Sequence, residues 1–271
     1  MSLTDQQIER YHRNMILEGV GRAGQEKLLA SKVLTIGVGG LGSPASLYLA
    51  AAGIGTIGLL DSDQVDSSNL QRQIVYQADE VGQRKVTCAR ERLQAINPDV
   101  TVQTYDLRAR ADNIREIVRQ YDFVIDAVDN FASKFLINDA CYLERIPFVH
   151  GGILQFDGQM MTVIPGRSAC YRCVFPGPPP AGAVPTGAQA GVLGVLPGVI
   201  GSLQATEAIK CLLGIGDLLT DILLTYHALT MRFRRVPVGR NPDCGLCAQN
   251  AEISELRDEV LVTCYRKDCQ H

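Results

Sequence analysis

The chain has 271 residues, of which 46% are hydrophobic and 20% are charged, values typical of a globular protein with a core of normal size. A formal net charge of −3 gives no support to nucleic acid or an anionic membrane as a partner. The first residues contain no apolar segment of a secretory signal, so we expect a cytoplasmic protein. Its nine cysteines are then expected to be thiols or metal ligands rather than disulfides.

The first predicted element is a helix over residues 8–17, where apolar side chains recur at near-helical spacing. Arg10 and Arg13 are interleaved with them, and by themselves these arginines indicate no more than a solvated helix face. The next clear pattern is an apolar run at residues 33–36, typical of a buried parallel strand. It is followed at once by a glycine-rich turn, residues 37–42, with the pattern G-x-G-x-x-G.

A predicted helix at 43–52 and a second predicted strand at 56–60 follow the turn, and Asp61 ends that strand. Glycines let backbone N–H groups approach a phosphate, and the positive end of the helix dipole faces the same place. An acidic residue at the end of the second strand suits a ribose hydroxyl. A tight turn without a ligand is the alternative, but strand, helix, strand and acid together favour a nucleotide site.

Helices and strands alternate through the middle of the chain. We predict helices at 82–96, 111–121 and 131–144, and strands at 100–105, 122–127 and 147–150. This alternation indicates an α/β fold of the Rossmann type, with a doubly wound, mostly parallel sheet. Beyond Gly151, strands at 159–164, 222–226 and 231–238 predict a smaller antiparallel extension. Residues 175–191 are rich in Pro and Gly and are predicted to be irregular.

Residues 186–206 carry no formal charge and approach the length of a membrane span. Pro197 and several glycines make this stretch a poor lipid-facing helix, and the pattern continues into Glu207 and Lys210. We therefore predict a loop that leads into a buried helix.

Two C-x-x-C pairs lie far apart in the chain, Cys170 with Cys173 and Cys244 with Cys247. Two such knuckles can complete a tetrahedral site with four thiolates, and a site without an open position is typical of structural zinc. A redox C-x-x-C is the competing interpretation, but neither pair follows a thioredoxin-like strand.

Charged and polar residues flank the glycine turn: Asn69, Arg72 and Lys85 follow Asp61, and Asp129 follows the strand at 122–127. Ligands of open parallel sheets bind at the carboxyl ends of the strands, so Asp61 and Asp129 should edge one crevice. Two or three cations suit a triphosphate, and an aspartate beside them suits magnesium. Individually Lys85 could be helix surface and Asp129 a helix N-cap. Together they favour ATP and Mg²⁺.

These residues belong to longer motifs that occur in a characteristic order: RYHRNMIL, GVGGLGS, LLDSDQVDSSNLQRQ, GQRK, DAVDN, CYRC, GVIGSLQATEAIK and CGLC. Over about residues 1–247 the chain closely resembles the MoeB/ThiF/HesA family, the bacterial relatives of ubiquitin-activating enzymes. The resemblance implies a homodimeric, ATP- and Mg²⁺-dependent adenylyltransferase acting on a small ubiquitin-like sulfur carrier that ends in Gly-Gly. It also implies a nucleotide-binding part at 30–150, a carrier-binding and zinc part at 151–247, and a tail at 248–271.

The resemblance assigns roles to individual residues. Phosphates would be cradled by Gly39, Gly40 and Gly42, the ribose held by Asp61, the triphosphate by Asn69, Arg72 and Lys85, and magnesium by Asp129. Asn130 would line the nucleotide pocket, and Asp63, Ser68 and Gln73 would complete the nucleotide contacts. Arg13 would reach into the site of the partner subunit, which makes each active site a composite of two chains.

The chain departs from the family pattern in two places. Several relatives carry a cysteine in the crossover loop, near Gly187 here, but no cysteine lies between Cys173 and Cys211. We therefore expect adenylation and no thioester or acyl-disulfide on this loop. Some relatives continue into a rhodanese domain, for which the tail is too short. Its Cys264 and Cys269 could carry a persulfide or be incidental.

Three other functions are compatible with parts of the pattern. An NAD-dependent oxidoreductase could use the same glycine turn and Asp61, but it leaves Arg13, Arg72 and Lys85 without a task. An adenylating enzyme of the same fold could act on tRNA or on a peptide. A non-catalytic scaffold could bind the carrier alone. The pathway and the sulfur donor remain open at this stage.

Overall fold

The computed structural model describes residues 3–180, 183–184 and 187–258. The described strands are β1 (Lys32–Ile36), β2 (Thr56–Leu60), β3 (Thr101–Tyr105), β4 (Phe123–Asp126), β5 (Phe148–Leu154), β6 (Asp157–Val163), β7 (Ile222–His227) and β8 (Arg232–Pro237). The described helices are α1 (Asp5–Met15), α2 (Gly21–Ala30), α3 (Gly42–Ala52), α4 (Lys85–Ile96), α5 (Ile114–Val118), α6 (Phe131–Leu143), α7 (Tyr171–Val174), α8 (Gly187–Ala190) and α9 (Leu196–Leu213).

The eight strands form one sheet in the order β3-β2-β1-β4-β5-β6-β7-β8. Pairing is parallel from β3 to β5 and antiparallel from β5 to β8. The prediction of a doubly wound, mostly parallel sheet with an antiparallel extension is therefore confirmed. In the parallel half, the strand order is that of a dinucleotide-binding half-sheet, which brings the carboxyl ends of β2, β1 and β4 side by side.

Helices cover the parallel sheet on both faces because its buried strands are apolar on both sides. Val33 belongs to an apolar cluster with α3, α4 and α9, whereas its neighbour Leu34 belongs to a second cluster with α5 and α6. The strands' carboxyl edge is left open between these layers. The polar residues that follow the strands in the sequence, such as Asp61 after β2 and Asp129 after β4, lie at this edge.

Several element boundaries differ from the predictions. The helix predicted from residue 82 begins at Lys85, because Gly82 has a φ of +89° and Gln64 forms an antiparallel bridge to Arg84. The strand predicted at 147–150 continues to Leu154, where it pairs with β6. The helix predicted at 111–121 is confined to α5, since the side chain of Asn113 accepts a hydrogen bond from the Arg110 N–H at 3.0 Å and holds an irregular turn before it.

Three of the described helices, α2, α7 and α8, were not predicted, and α7 is a single turn within the first C-x-x-C knuckle. The helix α2 contains Gly21 and Gly24, which weaken a helix, but a Cβ on Gly24 would lie 3.3 Å from Leu213, so the glycine permits close packing on α9. The helix α8 is a single turn within the stretch predicted to be irregular. In contrast, α9 confirms the buried helix predicted after the uncharged loop, with Pro197 in its first turn. Among the described residues, every helix is too short or too polar to span a bilayer.

Candidate active site

The glycine turn joins β1 to α3 with very close backbone contacts. Gly37 has a φ of +87°, and a Cβ on Gly42 would lie 2.0 Å from the Gly37 carbonyl oxygen. The Ser43 hydroxyl donates to the Gly39 carbonyl at 2.6 Å, and the buried Tyr76 hydroxyl donates to the Val38 carbonyl at 2.7 Å. No residue with a side chain can replace glycine at the Gly37–Gly42 contact, so the turn is fixed with its N–H groups at the mouth of the sheet.

Asp61 lies at the carboxyl end of β2 and is already anchored to the turn. Its carboxylate accepts hydrogen bonds from the Val38 N–H at 2.8 Å and from the Asp63 N–H at 2.9 Å. Burial raises the pKa of Asp61 above its ordinary value of 3.8, while the nearby Lys85 charge and these hydrogen bonds oppose that rise. Because each carboxylate oxygen has a second lone pair, Asp61 can still accept from a ribose hydroxyl.

Lys85 and Arg72 both bring positive charge to the mouth of the sheet. The Lys85 ammonium is 2.9 Å from the Asp63 carboxylate, and the Lys85 side chain is only 6% exposed whereas that of Asp63 is 67% exposed. Arg72 donates from Nη1 to the Ser68 carbonyl at 3.1 Å. Asp63 can therefore move aside into solvent when an anion approaches Lys85, without leaving a buried charge behind.

Asp129 and Asn130 follow β4 at the start of α6. The alternative in which Asp129 caps this helix is wrong, because the Asn130 side chain is the cap and accepts from the Ser133 N–H at 2.9 Å. Asp129 is exposed on the cleft, where its hard carboxylate oxygens suit a magnesium ion bound also by phosphate.

A cleft of about 1880 Å³ runs along the carboxyl edge of the sheet. Nine of the sequence-predicted site residues line it: Gly39, Gly40, Asp61, Asp63, Arg72, Gln73, Lys85, Asp129 and Asn130. Gln73 is buried, and its Oε1 has no partner among the described residues, so this oxygen is available to a bound molecule.

Four residues predicted for the nucleotide site, Gly42, Ser68, Asn69 and Arg13, do not line the cleft. Gly42 lies behind the turn, at the start of α3. Ser68 and Asn69 form a short 3₁₀ turn beside Arg72, in which the Ser68 hydroxyl donates to Asp66 at 2.5 Å. Arg13 is exposed on α1, away from the cleft of its own chain.

The four knuckle cysteines come together as the spacing predicts. The Sγ atoms of Cys170, Cys173, Cys244 and Cys247 all lie within 4.8 Å of one another, with separations of 3.8, 3.6 and 3.2 Å for three of the pairs. Zinc–sulfur bonds of about 2.3 Å in a tetrahedron place sulfur atoms about 3.8 Å apart, so the four thiols fit a zinc ion. Of the other cysteines, Cys88 and Cys141 are buried on helices, and Cys264 and Cys269 lie outside the described residues.

A buried charged cluster, not predicted from the sequence, joins the carboxyl end of β4 to the middle of β5. The Asp126 carboxylate is 2.9 Å from His150 Nδ1 and 3.5 Å from the Lys134 ammonium, and Lys134 donates to the Gly151 carbonyl at 2.5 Å. Burial acts to raise the pKa of Asp126, but the Lys134 charge and the His150 hydrogen bond outweigh it and leave that pKa below 3.8. No local sequence motif predicts this cluster, because strand pairing brings its members together.

Burial, reinforced by the Lys134 charge, lowers the pKa of His150 from 6.5 to about 4, so this imidazole is neutral at pH 7. Because Nδ1 faces an ionised carboxylate, Nδ1 carries the proton and Nε2 is an acceptor. His150 Nε2 has no partner among the described residues, and a Cβ on Gly152 would lie 3.5 Å from it. Burial also lowers the pKa of Lys134 below 10.5, against the attraction of Asp126.

Comparison with known proteins agrees with this geometry. The family model described as "ThiF family" matches residues 11–246. The chain belongs to the ThiF family. Among its ThiF-family relatives, a sulfur carrier protein adenylyltransferase of Thermus thermophilus is 49% identical over 263 residues, covering 95% of this chain and 97% of the relative. A SAMP-activating enzyme E1 of Haloferax volcanii is 47% identical, covering 92% of each chain.

Solved structures agree on the fold. The crystal structure of MccB from E. coli superposes with a TM-score of 0.78 at 23% identity, covering 89% of this chain and 73% of that one. At this identity the likeness concerns the fold alone.

Proposed function

We propose that this protein uses ATP and Mg²⁺ to adenylate the C-terminal carboxylate of a small ubiquitin-like sulfur-carrier protein that ends in Gly-Gly. The observation that carries the proposal is one cleft lined by a phosphate-binding glycine turn, by Asp61, by the cations Arg72 and Lys85, and by Asp129. The names of the two full-length relatives, a sulfur carrier protein adenylyltransferase and a SAMP-activating enzyme, support the same reaction.

The chemistry requires positioning and charge neutralisation rather than a base. The carrier's carboxylate has a pKa of about 3.5 and is ionised at neutral pH. One carboxylate oxygen attacks the α-phosphorus of ATP, the bond from that phosphorus to the α–β bridging oxygen breaks, and pyrophosphate leaves with the electron pair. No proton is transferred, so the protein supplies cations and in-line geometry.

Each residue at the cleft has a task in this scheme. Backbone N–H groups of Gly39 and Gly40 would hold phosphate oxygens, with Gly42 allowing the close turn. The ribose would bind Asp61 and the triphosphate Arg72, Lys85 and Asn69. Mg²⁺, when bound, would be held by Asp129 and neutralise phosphate charge. The nucleotide pocket would be completed by Asp63, Ser68, Gln73 and Asn130.

Arg13 has a task only in a homodimer. It is exposed and outside its own cleft, and the apolar side chains of Ile16 and Leu17 beside it are 60% and 56% exposed. Burial of these side chains against a second copy would carry Arg13 to the partner's cleft. This arrangement supports a composite site in which Arg13 neutralises the triphosphate of the other subunit.

The zinc knuckle would be structural. Four thiolates leave no open coordination position, so the ion would hold residues 170–173 to residues 244–247 and take no part in the reaction. Thiolate ligands suit a reducing compartment, and we propose that the protein works in the cytoplasm. In this organisation residues 30–150 bind the nucleotide, 151–247 bind the carrier and zinc, and 248–271 form a tail outside the adenylyltransferase domain, 1–247.

ATP–pyrophosphate exchange with candidate carriers ending in Gly-Gly tests the proposal. We expect exchange that depends on the carrier and on Mg²⁺, and a fall of about 100-fold in Lys85→Met, because one cation at the triphosphate is lost. Lys32→Met, at an exposed lysine, is the matched control and should keep full activity. Exchange without any carrier, or full activity in Lys85→Met, would contradict the proposal.

A further inference from the structure

Lys134 is a buried cation on the cleft with no task in the scheme above. It lies one turn into α6, its side chain is 7% exposed, and it lines the cleft. Its ammonium lies between the carboxyl end of β4 and the middle of β5, where the Asp126 carboxylate and the Gly151 carbonyl face it.

The order of the strands separates the two reactants. The ribose would bind at Asp61, at the end of β2, and the phosphates at the glycine turn, at the end of β1. Asp129 follows β4, the strand beside β1 in the sheet. Leu107, Arg108 and Ala109, after β3, line the cleft on the far side of β2, and beyond β4 it is lined by Gly152, Ile153, Gly158 and Gln159 from β5 and β6. The part of the cleft beyond β4 offers the attacking carboxylate a path from the side of β5, past Lys134.

The hydrogen bonds around Lys134 leave it able to bind a further anion. An ammonium has three N–H donors. Among the described residues, the Gly151 carbonyl takes one at 2.5 Å, and the Asp126 carboxylate, 3.5 Å away, takes at most one more. Asp126 is held in place by other groups, since it accepts from His150 and from the Val128 N–H. Asp126 thus fixes the position of the Lys134 charge without using all its donors.

A purely structural role explains the cluster less well. Replacing a buried ion pair by packed apolar side chains is often neutral or stabilising, so an ammonium is not needed to fasten α6 to the sheet. The reaction does need a cation here, because an anionic carboxylate must approach an anionic phosphate. Arg72 and Lys85 lie on the nucleotide's side of that approach.

We propose that Lys134 is a catalytic residue that binds the incoming C-terminal carboxylate of the carrier and holds it for attack on the α-phosphorus. The inference rests on the proposed adenylation and assigns to this side chain the recognition of a free carboxylate. One carboxylate oxygen accepts from the Lys134 ammonium while the other forms the new bond to phosphorus. Pyrophosphate leaves as before, and Lys134 keeps its proton throughout.

The decisive experiment compares the affinities of two carriers, one with its natural C-terminal carboxylate and one ending in a carboxamide. Both are measured in the presence of an ATP analogue with a methylene group between the α- and β-phosphorus atoms, which cannot react. Wild-type protein should prefer the carboxylate, and Lys134→Met should lose that preference. Affinity for ATP without carrier should be unchanged, while kcat/KM for the carrier in pyrophosphate exchange falls about 100-fold. Lys134→Arg should retain most of the preference, and Lys32→Met should behave as wild type.

Three outcomes would overturn the inference. The first is an unchanged preference for the carboxylate in Lys134→Met, which leaves the proposed adenylation intact. The second is a loss of ATP affinity equal to the loss of carrier affinity, which would make Lys134 a nucleotide ligand or a structural residue. The third is absence of exchange by folded wild-type protein with every carrier, which would overturn the proposed function as well. Should Lys134→Met not fold, Lys134→Gln supports the same comparison.

Discussion

His150 is buried without charge beside a buried carboxylate, and this has a measurable effect on stability. Its pKa falls from 6.5 to about 4 on folding because burial and the Lys134 charge disfavour the imidazolium. Between these values the unfolded chain binds a proton that the folded chain does not. The stability contributed by neutral His150 is therefore complete above pH 6.5 and is lost as the pH falls toward 4.

We predict that wild-type protein loses about 2 kcal/mol of unfolding free energy through this group between pH 7 and pH 5. His150→Gln should lack this part of the loss, which urea unfolding at the two pH values would measure. His227→Gln is the matched control, since His227 is exposed and pairs with exposed Asp157. An equal loss in wild type and in His150→Gln would contradict the prediction.

At the residue scale, sequence reasoning found what local spacing encodes. Gly39, Gly40 and Asp61 stand at fixed offsets around one turn, and the four cysteines form two short motifs. The cluster of Asp126, Lys134 and His150 was missed because its members meet through the β4–β5 pairing, where Asp126 lies opposite His150. A buried Asp at a strand end followed by Lys on the next helix turn was the available signal.

At the scale of elements, the first C-x-x-C knuckle, Cys170 to Cys173, is fastened to α6, the helix that follows Asp129. Arg172, within the knuckle, donates from Nε and Nη2 to both Asp139 oxygens on α6 at 2.7 Å, and its guanidinium lies 4.8 Å from the Phe135 ring centroid. The Tyr171 N–H donates to the Asn138 side chain at 2.8 Å, and the Tyr171 ring packs on His150. The knuckle therefore supports one wall of the cleft.

We predict that Arg172→Met destabilises the zinc-loaded protein by about 3 kcal/mol, because it removes the bidentate partner of a buried carboxylate. Urea unfolding in zinc-containing buffer measures the change. The double variant Arg172→Met/Asp139→Leu should recover part of the loss, as both charges are then gone. A single variant as stable as wild type would show that the ion pair contributes nothing.

The elements themselves were largely predictable because β1 and β2 are short, continuous apolar runs and α3 and α6 have the length and composition of buried helices. Helix α2 was missed because tertiary packing overrides its two glycines, and α5 is shorter than its apolar pattern because the Asn113 side chain stabilises a turn. The contact that decides α2 joins residues far apart in the sequence, whereas the one that decides α5 is a local side-chain hydrogen bond that an apolar pattern does not encode.

For the whole molecule, the sequence indicated a doubly wound sheet, and the topology places its polar strand ends along one cleft. The residue pattern around Arg13 indicates only a solvated helix face, and the family resemblance alone implied that Arg13 reaches the site of the partner subunit. In the structure Arg13 lies outside its own cleft, on a surface with exposed Ile16 and Leu17. That separation motivates the composite site.

Complementation between two inactive variants tests the composite site. Arg13→Ala and Lys85→Met should each be nearly inactive, whereas a fully exchanged equal mixture should recover about one quarter of wild-type exchange. Half of its dimers are then mixed, and one of their two sites has both residues intact. Differently tagged subunits would verify that mixed dimers form, and mixed dimers without activity would rule out the contribution of Arg13 in trans.

The central claim is that a carboxylate oxygen of the carrier attacks the α-phosphorus of ATP. The most direct test uses a carrier whose C-terminal carboxylate is enriched in heavy oxygen. The carrier is incubated with the protein, ATP and Mg²⁺, and hydroxylamine then attacks the acyl carbon of the product and releases AMP. Mass spectrometry should find the heavy oxygen in AMP and none in pyrophosphate. Heavy oxygen in inorganic phosphate, with ADP as the nucleotide product, would contradict the account.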